Sequence, residues 1–578
     1  MIGFTRRKDI DPTNRRKRVK QAPVEIQLEE HLKVKTSTSH KFLGVILDDK
    51  LRFKQHADYA LAKGTEWEAR IRSIAKMARG TKGRFIKRLY YTVGLAKMLY
   101  AADVWCTSPL ERSNTKSRTS AFITKMERVQ RQVALRITGA LRTTPSNLLL
   151  PHAGLIPLQL QIRKICQNLA LRIATLPAHH PLFRTANKAA KKVPKRHPSP
   201  LQIILCLLPA HPSKMETIDT LRKPLEWRQP FATRIPNSEE EALALNNENM
   251  DDVKLFTDGS GLNGHIGAAA VLTRGFHPYI IARHYLRPDT KHTVYEGECV
   301  GQLLGLHLLK RLSTGLDIRS VTITVDNQAS ISAHVSTKPG PGSYLINQIH
   351  EAVQVVKRSH GLARIRMHWI PGHKGVPESA RADKEAKKAT EGAHRNLNDN
   401  ARILRQQLPF SKSATKQLMR DRLIREVAEI FHKSHRSAKM LKIDLFMPAT
   451  KFPSETAPFE RRHTSILTQL RTSHVPLQSY LYRFKIEAHP ICPHCHVEPE
   501  SLTHFLKYCP AHSDARKELL KAIGRLTNLD TSTLGNPKFH RSILKFLHSS
   551  KQFQDTHGNL NPAAIPTQNQ RNAAHETS

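Results

Sequence analysis

Residues 255–260, with the sequence LFTDGS, constrain the fold more than any other stretch of the chain. The apolar run predicts a short buried strand, and Asp258 followed by Gly-Ser predicts a turn at the end of that strand. An aspartate in this position is most often only a turn former. Whether Asp258 belongs to a functional site therefore depends on which other residues accompany it.

Three further carboxylates occur downstream in comparable settings. Glu298 lies near the start of a predicted helix, because apolar residues recur at helical spacing in TVYEGECVGQLLGLHLL. Asp326 ends the β-branched run VTITVD, and Asp383 lies in the polar helix ESARADKEAKKA. Oxygen ligands alone suit Mg²⁺, and two such ions about 4 Å apart activate a water and stabilise the leaving oxygen of a phosphodiester. If the four side chains converge, they predict a metal-dependent phosphodiesterase site.

The order DGS, YEGE, VDNQAS and HWIPGHKGVPESARADKEA resembles the type 1 ribonuclease H domain, in the version carried by non-LTR (LINE-like, fungal-type) retrotransposons. The resemblance covers residues 253–391 and implies an α/β fold with a five-stranded mixed sheet flanked by helices. It implies that four carboxylates hold two Mg²⁺ ions, with Mn²⁺ as a substitute, and that a histidine of the PGHKG loop helps to deprotonate the water or to release the product. The residues at these positions are Asp258, Glu298, Asp326, Asp383 and His373.

Each of these residues has an ordinary structural explanation when it is taken alone. Asp326 also fits a helix cap, and Asp383 a solvated helix face. Glu296 competes with Glu298 as the metal ligand. We prefer Glu298, because the apolar stripe of the helix then falls where the family pattern expects it. The joint occurrence of the residues in one order favours the metal site.

The composition adds a strong positive charge. The 578 residues include 92 Lys and Arg against 48 Asp and Glu, a formal net charge of +44, which favours binding to RNA, DNA or their hybrid. So long a chain predicts three or four domains. The seven cysteines lack a disulfide-like spacing, and neither a signal pattern nor a membrane-spanning stretch is recognisable. We therefore expect an intracellular protein, nuclear or cytoplasmic, without a membrane segment.

Residues 1–176 are predicted to form a mainly α-helical region, because apolar residues recur at helical spacing. The stretches KFLGVILDDKLRFKQHADYALAKG, LYYTVGLAKMLYAADVW and RVQRQVALRITGALRTTPSNLLLPHAGLIPLQLQIRKIC resemble the thumb and connection of non-LTR reverse transcriptases. The pair Asp48-Asp49 does not resemble the polymerase aspartates, because charged residues follow it instead of an apolar strand. The resemblance implies a reverse transcriptase remnant without the polymerase active site.

The remaining segments are assigned from composition. Residues 177–252 are predicted to be a linker, because KKVPKRHPSP is rich in proline and lysine and NSEEEALALNNENMDD is acidic. Residues 392–545 are predicted to be a helical C-terminal region. Residues 546–578 are predicted to be a disordered tail.

A second constellation, CPHCHVEPESLTHFLKYCPAH, spans residues 492–509 and a few beyond. Its three thiolates and one imidazole form the donor set of a closed, structural Zn²⁺ site. The candidate ligands are Cys492, Cys495, His504 and Cys509. A redox CxxC would account for only the first two of these residues. The nearby histidines His494, His496 and His512 remain alternative ligands.

These observations predict a metal-dependent endoribonuclease that hydrolyses the RNA strand of RNA–DNA hybrids as part of a retrotransposon replication protein. A catalytically inactive nucleic-acid-binding relic is an alternative, and a reverse transcriptase is a less favoured one. Cleavage of a hybrid distinguishes the nuclease from the relic, and primer extension would reveal a polymerase.

Overall fold

The computed structural model describes residues 8–14, 16, 18–20, 25–29, 32–107, 119–191, 198–219, 227–275, 277–312, 318–361, 364–372, 374–392, 402–524, 529 and 531–562. The chain forms two compact units, here called the helical unit (Met1–Ile165 with Leu423–Ser578) and the sheet unit (Cys166–Arg422). The regions before and after the sheet unit, which the sequence predicts as separate domains, therefore belong to one unit. No helix among the described residues is long and apolar enough to cross a bilayer.

The N-terminal part of the helical unit begins with antiparallel hairpins, β1–β2, β3–β4 and β5–β6. Their strands are β1 Lys8–Ile10, β2 Arg18–Lys20, β3 Glu25–Glu29, β4 Leu32–Lys35, β5 Ser39–Phe42 and β6 Val45–Asp48. The helices that follow are α1 Lys54–Ile74, α2 Gly83–Leu89, α3 Leu95–Met98, α4 Ala102–Trp105, α5 Thr119–Thr138, α6 Ser146–Ala153 and α7 Leu158–Ala174.

The sheet unit contains a mixed sheet of six strands in the order β10-β9-β8-β11-β12-β7. The next elements in the chain are α8 Pro181–Lys191, α9 Pro200–Leu205, β7 Ala232–Arg234, α10 Glu239–Asn247, β8 Val253–Leu262, β9 His265–Thr273, β10 Ile280–Pro288, α11 Val294–Lys310, β11 Ser320–Val325, α12 Gln328–Val335, α13 Ser343–His360, β12 Arg364–Trp369, α14 Pro377–Thr390 and α15 Lys412–His432. The first three long strands, β8 to β10, are antiparallel, whereas β11 is parallel to β8 and β12.

Both faces of the sheet are covered, which explains why its strands are apolar almost throughout. Leu255 belongs to the larger core, together with residues of α11 and α13. The next residue, Phe256, points to the opposite face and packs in a smaller core with Ile370, Val376 and Ala382. This alternation along β8 fixes the face of the sheet to which the Asp258 side chain points.

The predicted linker at 177–252 is a folded part of the sheet unit, so that prediction is wrong. Strand β7 pairs in parallel with β12 and makes six strands where five were predicted. Phe231 is buried in the larger core. Glu216 is buried and accepts backbone N–H groups from Gly342 (2.7 Å) and Lys412 (2.6 Å). Burial raises the pKa of Glu216 to about 7.

The C-terminal part of the helical unit is mainly helical. Its helices are α16 Ser437–Leu441, α17 Phe452–Glu455, α18 Arg461–Thr472, α19 Gln478–Arg483, α20 Ser513–Ile523, α21 His540–Ser549 and α22 Gln554–His557. The prediction of disorder from residue 546 is wrong for residues 546–562, because Phe553 and Leu560 are buried in the core of this unit. Residues 563–578 lie outside the described part of the chain.

Candidate metal centres

The structure brings three of the four predicted carboxylates together. Each of Asp258, Glu298 and Asp326 offers an oxygen, and these three atoms all lie within 4.8 Å of one another. Asp258 lies within β8, Glu298 in the first turns of α11, and Asp326 directly after β11. Because β8 and β11 are adjacent and parallel, their carboxyl-terminal halves deliver two aspartates to the same edge of the sheet.

Helix α11 is positioned at its start by a capping box. The Thr293 side chain accepts the backbone N–H of Glu296, and the Glu296 carboxylate accepts the backbone N–H of Thr293. Glu296 is therefore engaged in capping the start of the helix, and Glu298 is the glutamate that faces the two aspartates.

A row of glycines, which was not recognised among the sequence motifs, lets α11 lie directly on the sheet. Gly297, Gly301 and Gly305 are spaced four apart, so they occupy one face of the helix. A Cβ at Gly297 would meet the Cα of Gly259 at 3.2 Å, and one at Gly301 would meet the carbonyl oxygen of Asp258 at 3.1 Å. This backbone-to-backbone approach holds Glu298 beside Asp258. The four-residue spacing in GECVGQLLG was the available signal.

The electrostatics of this cluster favour a bound cation. Asp258 Oδ2 and Glu298 Oε2 are buried and have no hydrogen-bond partner among the described residues. Burial, followed by the charges of Asp326 and Asp383, raises the pKa of Asp258 to about 7, while Lys387 opposes the shift. Burial, followed by the charges of Asp326 and Asp258, raises the pKa of Glu298 well above its ordinary value. A divalent cation would compensate these charges, and the all-oxygen donor set fits Mg²⁺.

Asp383 is close to this cluster without being one of its three converging members. It lies on α14, its charge contributes to the raised pKa of Asp258, and its carboxylate accepts a hydrogen bond from Lys387 Nζ at 2.7 Å. The predicted His373 lies outside the described residues. The preceding residue, Gly372, lies against Asp326, since a Cβ there would be 3.0 Å from Asp326 Oδ2.

Helix α14, which carries Asp383, is anchored by a buried carboxylate that the sequence analysis did not single out. Glu385 has a fully buried side chain and pairs with Arg283 of β10, Arg381 Nε (3.1 Å) and Lys388 Nζ (3.2 Å). Although burial acts in the opposite direction, the hydrogen bonds from Lys388 and Arg283 lower the pKa of Glu385. This ion network attaches α14 to the sheet two residues away from Asp383.

The second constellation also converges. Cys492, Cys495, His504 and Cys509 each offer a ligand atom, and these atoms lie within 4.8 Å of one another. The Sγ atoms of Cys492 and Cys509 are 3.8 Å apart. This separation is far too long for a disulfide, and it equals the ~3.8 Å expected between two thiolates bound to Zn²⁺ at about 2.3 Å in a tetrahedron.

Hydrogen bonds orient the histidine of this second site. His504 Nε2 lies 3.4 Å from Cys495 Sγ, and His504 Nδ1 lies 3.1 Å from the carboxylate of Glu498. A partner on Nδ1 leaves Nε2 as the metal-binding nitrogen. Of the alternative ligands, His494 contacts Gln552 instead, and His512 packs its ring edge-to-face on Phe505.

Comparison with known proteins gives structural similarities only, because no family model and no curated protein matches the chain. The N-terminal RNase H domain of a Mycobacterium tuberculosis protein, solved as a fusion with maltose binding protein, is 19% identical and has a TM-score of 0.20 over 25% of this chain and 95% of that chain. RNase H1 from Halobacterium salinarum is 14% identical, with a TM-score of 0.19 over 24% of this chain and 98% of that chain. LC11-RNase H1, solved in complex with an RNA/DNA hybrid, is 16% identical, with a TM-score of 0.20 over 24% of this chain and 97% of that chain. These structural neighbours are RNase H domains, and the likeness extends over about a quarter of the chain.

Proposed function

We propose that the sheet unit is a metal-dependent nuclease that hydrolyses the RNA strand of RNA–DNA hybrids. The observation that carries this proposal is the convergence of Asp258, Glu298 and Asp326 with two buried carboxylate oxygens that no described group satisfies. Buried carboxylates that lie close together destabilise a fold unless a bound cation compensates their charge, so such clusters are typical of ligand sites. The motif order described above, which resembles type 1 ribonuclease H, supplies the substrate class.

The protein contributes to the reaction by holding the carboxylates that would bind the metal ions in fixed positions. We assign Asp258, Glu298 and Asp326 to hold one Mg²⁺ and Asp383, with Asp258, to hold a second. When bound, the ions would supply a more acidic water and charge stabilisation at the phosphate. Asp258 and Glu298 are fixed by the sheet and by the glycine row of α11, so they need no rearrangement to bind. Lys387 orients the Asp383 carboxylate through its hydrogen bond.

The direct test is cleavage of a labelled RNA–DNA hybrid with Mg²⁺ and without it, beside duplex RNA and duplex DNA. We expect Mg²⁺-dependent cutting of the RNA strand in the hybrid alone. Binding of the hybrid without any cutting would instead support the alternative of an inactive binding protein.

The same proposal includes a structural Zn²⁺ at Cys492, Cys495, His504 and Cys509. The support is the 3.8 Å separation of two thiol sulfurs and the Glu498 contact that selects Nε2 of His504.

We also propose that the chain originates from a non-LTR retrotransposon reverse transcriptase. The support is the resemblance of the quoted stretches of residues 1–176. Primer extension with deoxynucleotides should give no product, because the quoted stretches contain no polymerase aspartates.

A further inference from the structure

The helical unit contains a cavity of about 320 Å³ whose walls are strongly basic. Its charged and ionisable lining residues are His435, Arg436, Lys439, Arg471, His474 and Arg483. Apolar and hydroxyl side chains complete the lining, and no carboxylate is among the lining residues. A cavity of this size accommodates a small polar group such as a phosphate with part of its sugar.

The absence of carboxylates extends along the sequence segments that form the walls. No Asp or Glu occurs between Glu429 and Asp444, and none occurs from 461 to 486. Asp444, the nearest acidic residue on the first segment, already accepts hydrogen bonds from Arg471 at 2.6 Å and from Thr450 at 2.5 Å. Among the lining cations, Arg471 is therefore neutralised by Asp444.

Three cations of the wall have no carboxylate partner among the described residues: Arg436, Lys439 and Arg483. Their field acts on His474, whose pKa falls to about 4 through burial and then through the charges of Arg483, Arg436, Lys439 and Arg131. Like charges gathered around one cavity repel each other, and this repulsion is relieved when an anion enters. The arrangement therefore favours an anion and disfavours a cation.

Aromatic side chains lie beside the basic wall. The Arg483 guanidinium stacks over the rings of Tyr480 (5.6 Å) and Phe484 (5.0 Å). Tyr482 and Phe484 are 48% and 39% exposed. A phosphate-sized basic cavity next to exposed aromatic rings is the combination that binds a nucleic acid strand, with phosphates held by the cations and bases stacked on the rings.

From these contacts we infer that this cavity binds a backbone phosphate of a single nucleic acid strand. The site shares no residue with the carboxylate cluster, and it stands whether or not the sheet unit cuts RNA. Arg436, Lys439 and Arg483 supply the positive charges that hold the phosphate.

The test uses the full-length protein and a labelled single-stranded DNA of about 12 nucleotides, within the range that such grooves cover. Single-stranded DNA is not a substrate of the proposed nuclease, so the two proposals succeed or fail separately. The double variant Arg436→Gln/Lys439→Gln should weaken binding about tenfold or more at low salt. It should also reduce the slope of log affinity against log salt by about 0.7, which is the contribution of one phosphate contact on a single strand.

The matched control is Lys517→Gln/Lys521→Gln, which removes the same charge from exposed lysines of the helical unit that pair with Asp514 and Glu518. Both doubles should keep the wild-type melting temperature, and the control should keep the wild-type salt slope. Equal losses in the two doubles would mean that only net charge matters and would overturn the assignment. Binding of inorganic phosphate, measured by calorimetry, completes the test. If Arg436→Gln/Lys439→Gln loses phosphate binding but keeps binding of the strand, the site takes a free anion and the proposal is wrong.

Discussion

Gly259 and Glu298 are packed backbone to backbone, since a Cβ atom on Gly259 would lie 2.2 Å from the backbone nitrogen of Glu298. No side chain fits between strand β8 and helix α11 at this point. The distance between Asp258 and Glu298 is therefore fixed by a residue that carries no functional group itself.

We expect Gly259→Ala to displace α11 and to separate the two carboxylates. The change should destabilise the sheet unit by about 1–3 kcal/mol, the usual cost of overpacking, and should reduce hybrid cleavage more than hybrid binding. Gly340→Ala is the control, because nothing lies within 4 Å of a Cβ at that position. Full activity in Gly259→Ala would show that the close approach does not position Glu298.

Asp258→Asn should remove nearly all cleavage, by on the order of a thousandfold, because the amide cannot supply the charge that holds a divalent cation. Binding of the hybrid should survive, since the basic surface is unchanged. Asp289→Asn, at an exposed aspartate of the same unit, should retain wild-type turnover. An active Asp258→Asn enzyme would exclude the metal assignment.

The raised pKa of Asp258 predicts an unusual pH dependence of stability. Between its ordinary value of 3.8 and about 7, the folded protein keeps a proton that the unfolded chain has lost. In metal-depleted buffer the free energy of unfolding contributed by this group should therefore fall as the pH rises from about 4 to about 7, by up to about 4 kcal/mol.

Hydrogen exchange of the peptide covering β8 measures this free energy in the sheet unit itself. The difference between wild type and Asp258→Asn should grow across that pH range, and saturating Mg²⁺ should abolish it. If the protection of β8 in the wild type stays constant or increases relative to Asp258→Asn as the pH rises, the raised pKa is contradicted.

The thiolate cluster predicts about one equivalent of zinc per chain. Cys492→Ser should lose the metal and lower the melting temperature of the helical unit, because metal binding and folding are coupled. Cys206→Ser, at an exposed cysteine elsewhere, should change neither quantity. Protein that is free of zinc and yet melts as the wild type does would rule out the structural role.

Phe231 tests whether the segment before β8 is part of the fold. Truncation of this buried side chain to alanine should cost about 3–5 kcal/mol. Tyr279→Ala, at a 46% exposed ring of the same unit, should cost far less. Urea unfolding of the two variants measures both changes in the free energy of unfolding. Similarly small changes in the two variants would indicate that residues 177–252 are a linker.

The long elements of the sheet unit could be predicted because their patterns are local. The β-branched run forms the strand Ser320–Val325, and the polar segment around Asp383 forms α14, which Pro377 begins as the first helical residue. The convergence of the three carboxylates followed from their motif order, although no spacing rule could show which oxygens meet.

The incorrect predictions have a common physical cause. The segments concerned are stabilised by partners that are distant in sequence. Strand β7 has only three residues, Ala232–Arg234, and exists because β12 offers an unpaired edge. The acidic run at Glu239–Glu241 suggested a linker, yet it forms the first turn of α10 behind the N-cap Ser238, where negative charge favours a helix. Residues near Phe553 have a polar composition and are ordered by the core they enter.

The helical unit consists of two stretches of the chain, one before the sheet unit in the sequence and one after it. During synthesis, its first stretch must wait until the roughly 260 intervening residues have been made, about 13–50 s at 5–20 residues per second. The sheet unit is complete in the meantime and is able to fold first. The nascent N-terminal helices thus spend that interval with apolar faces uncovered, and a ribosome stalled before residue 423 would release a chain with a complete sheet unit and only the first stretch of the helical unit.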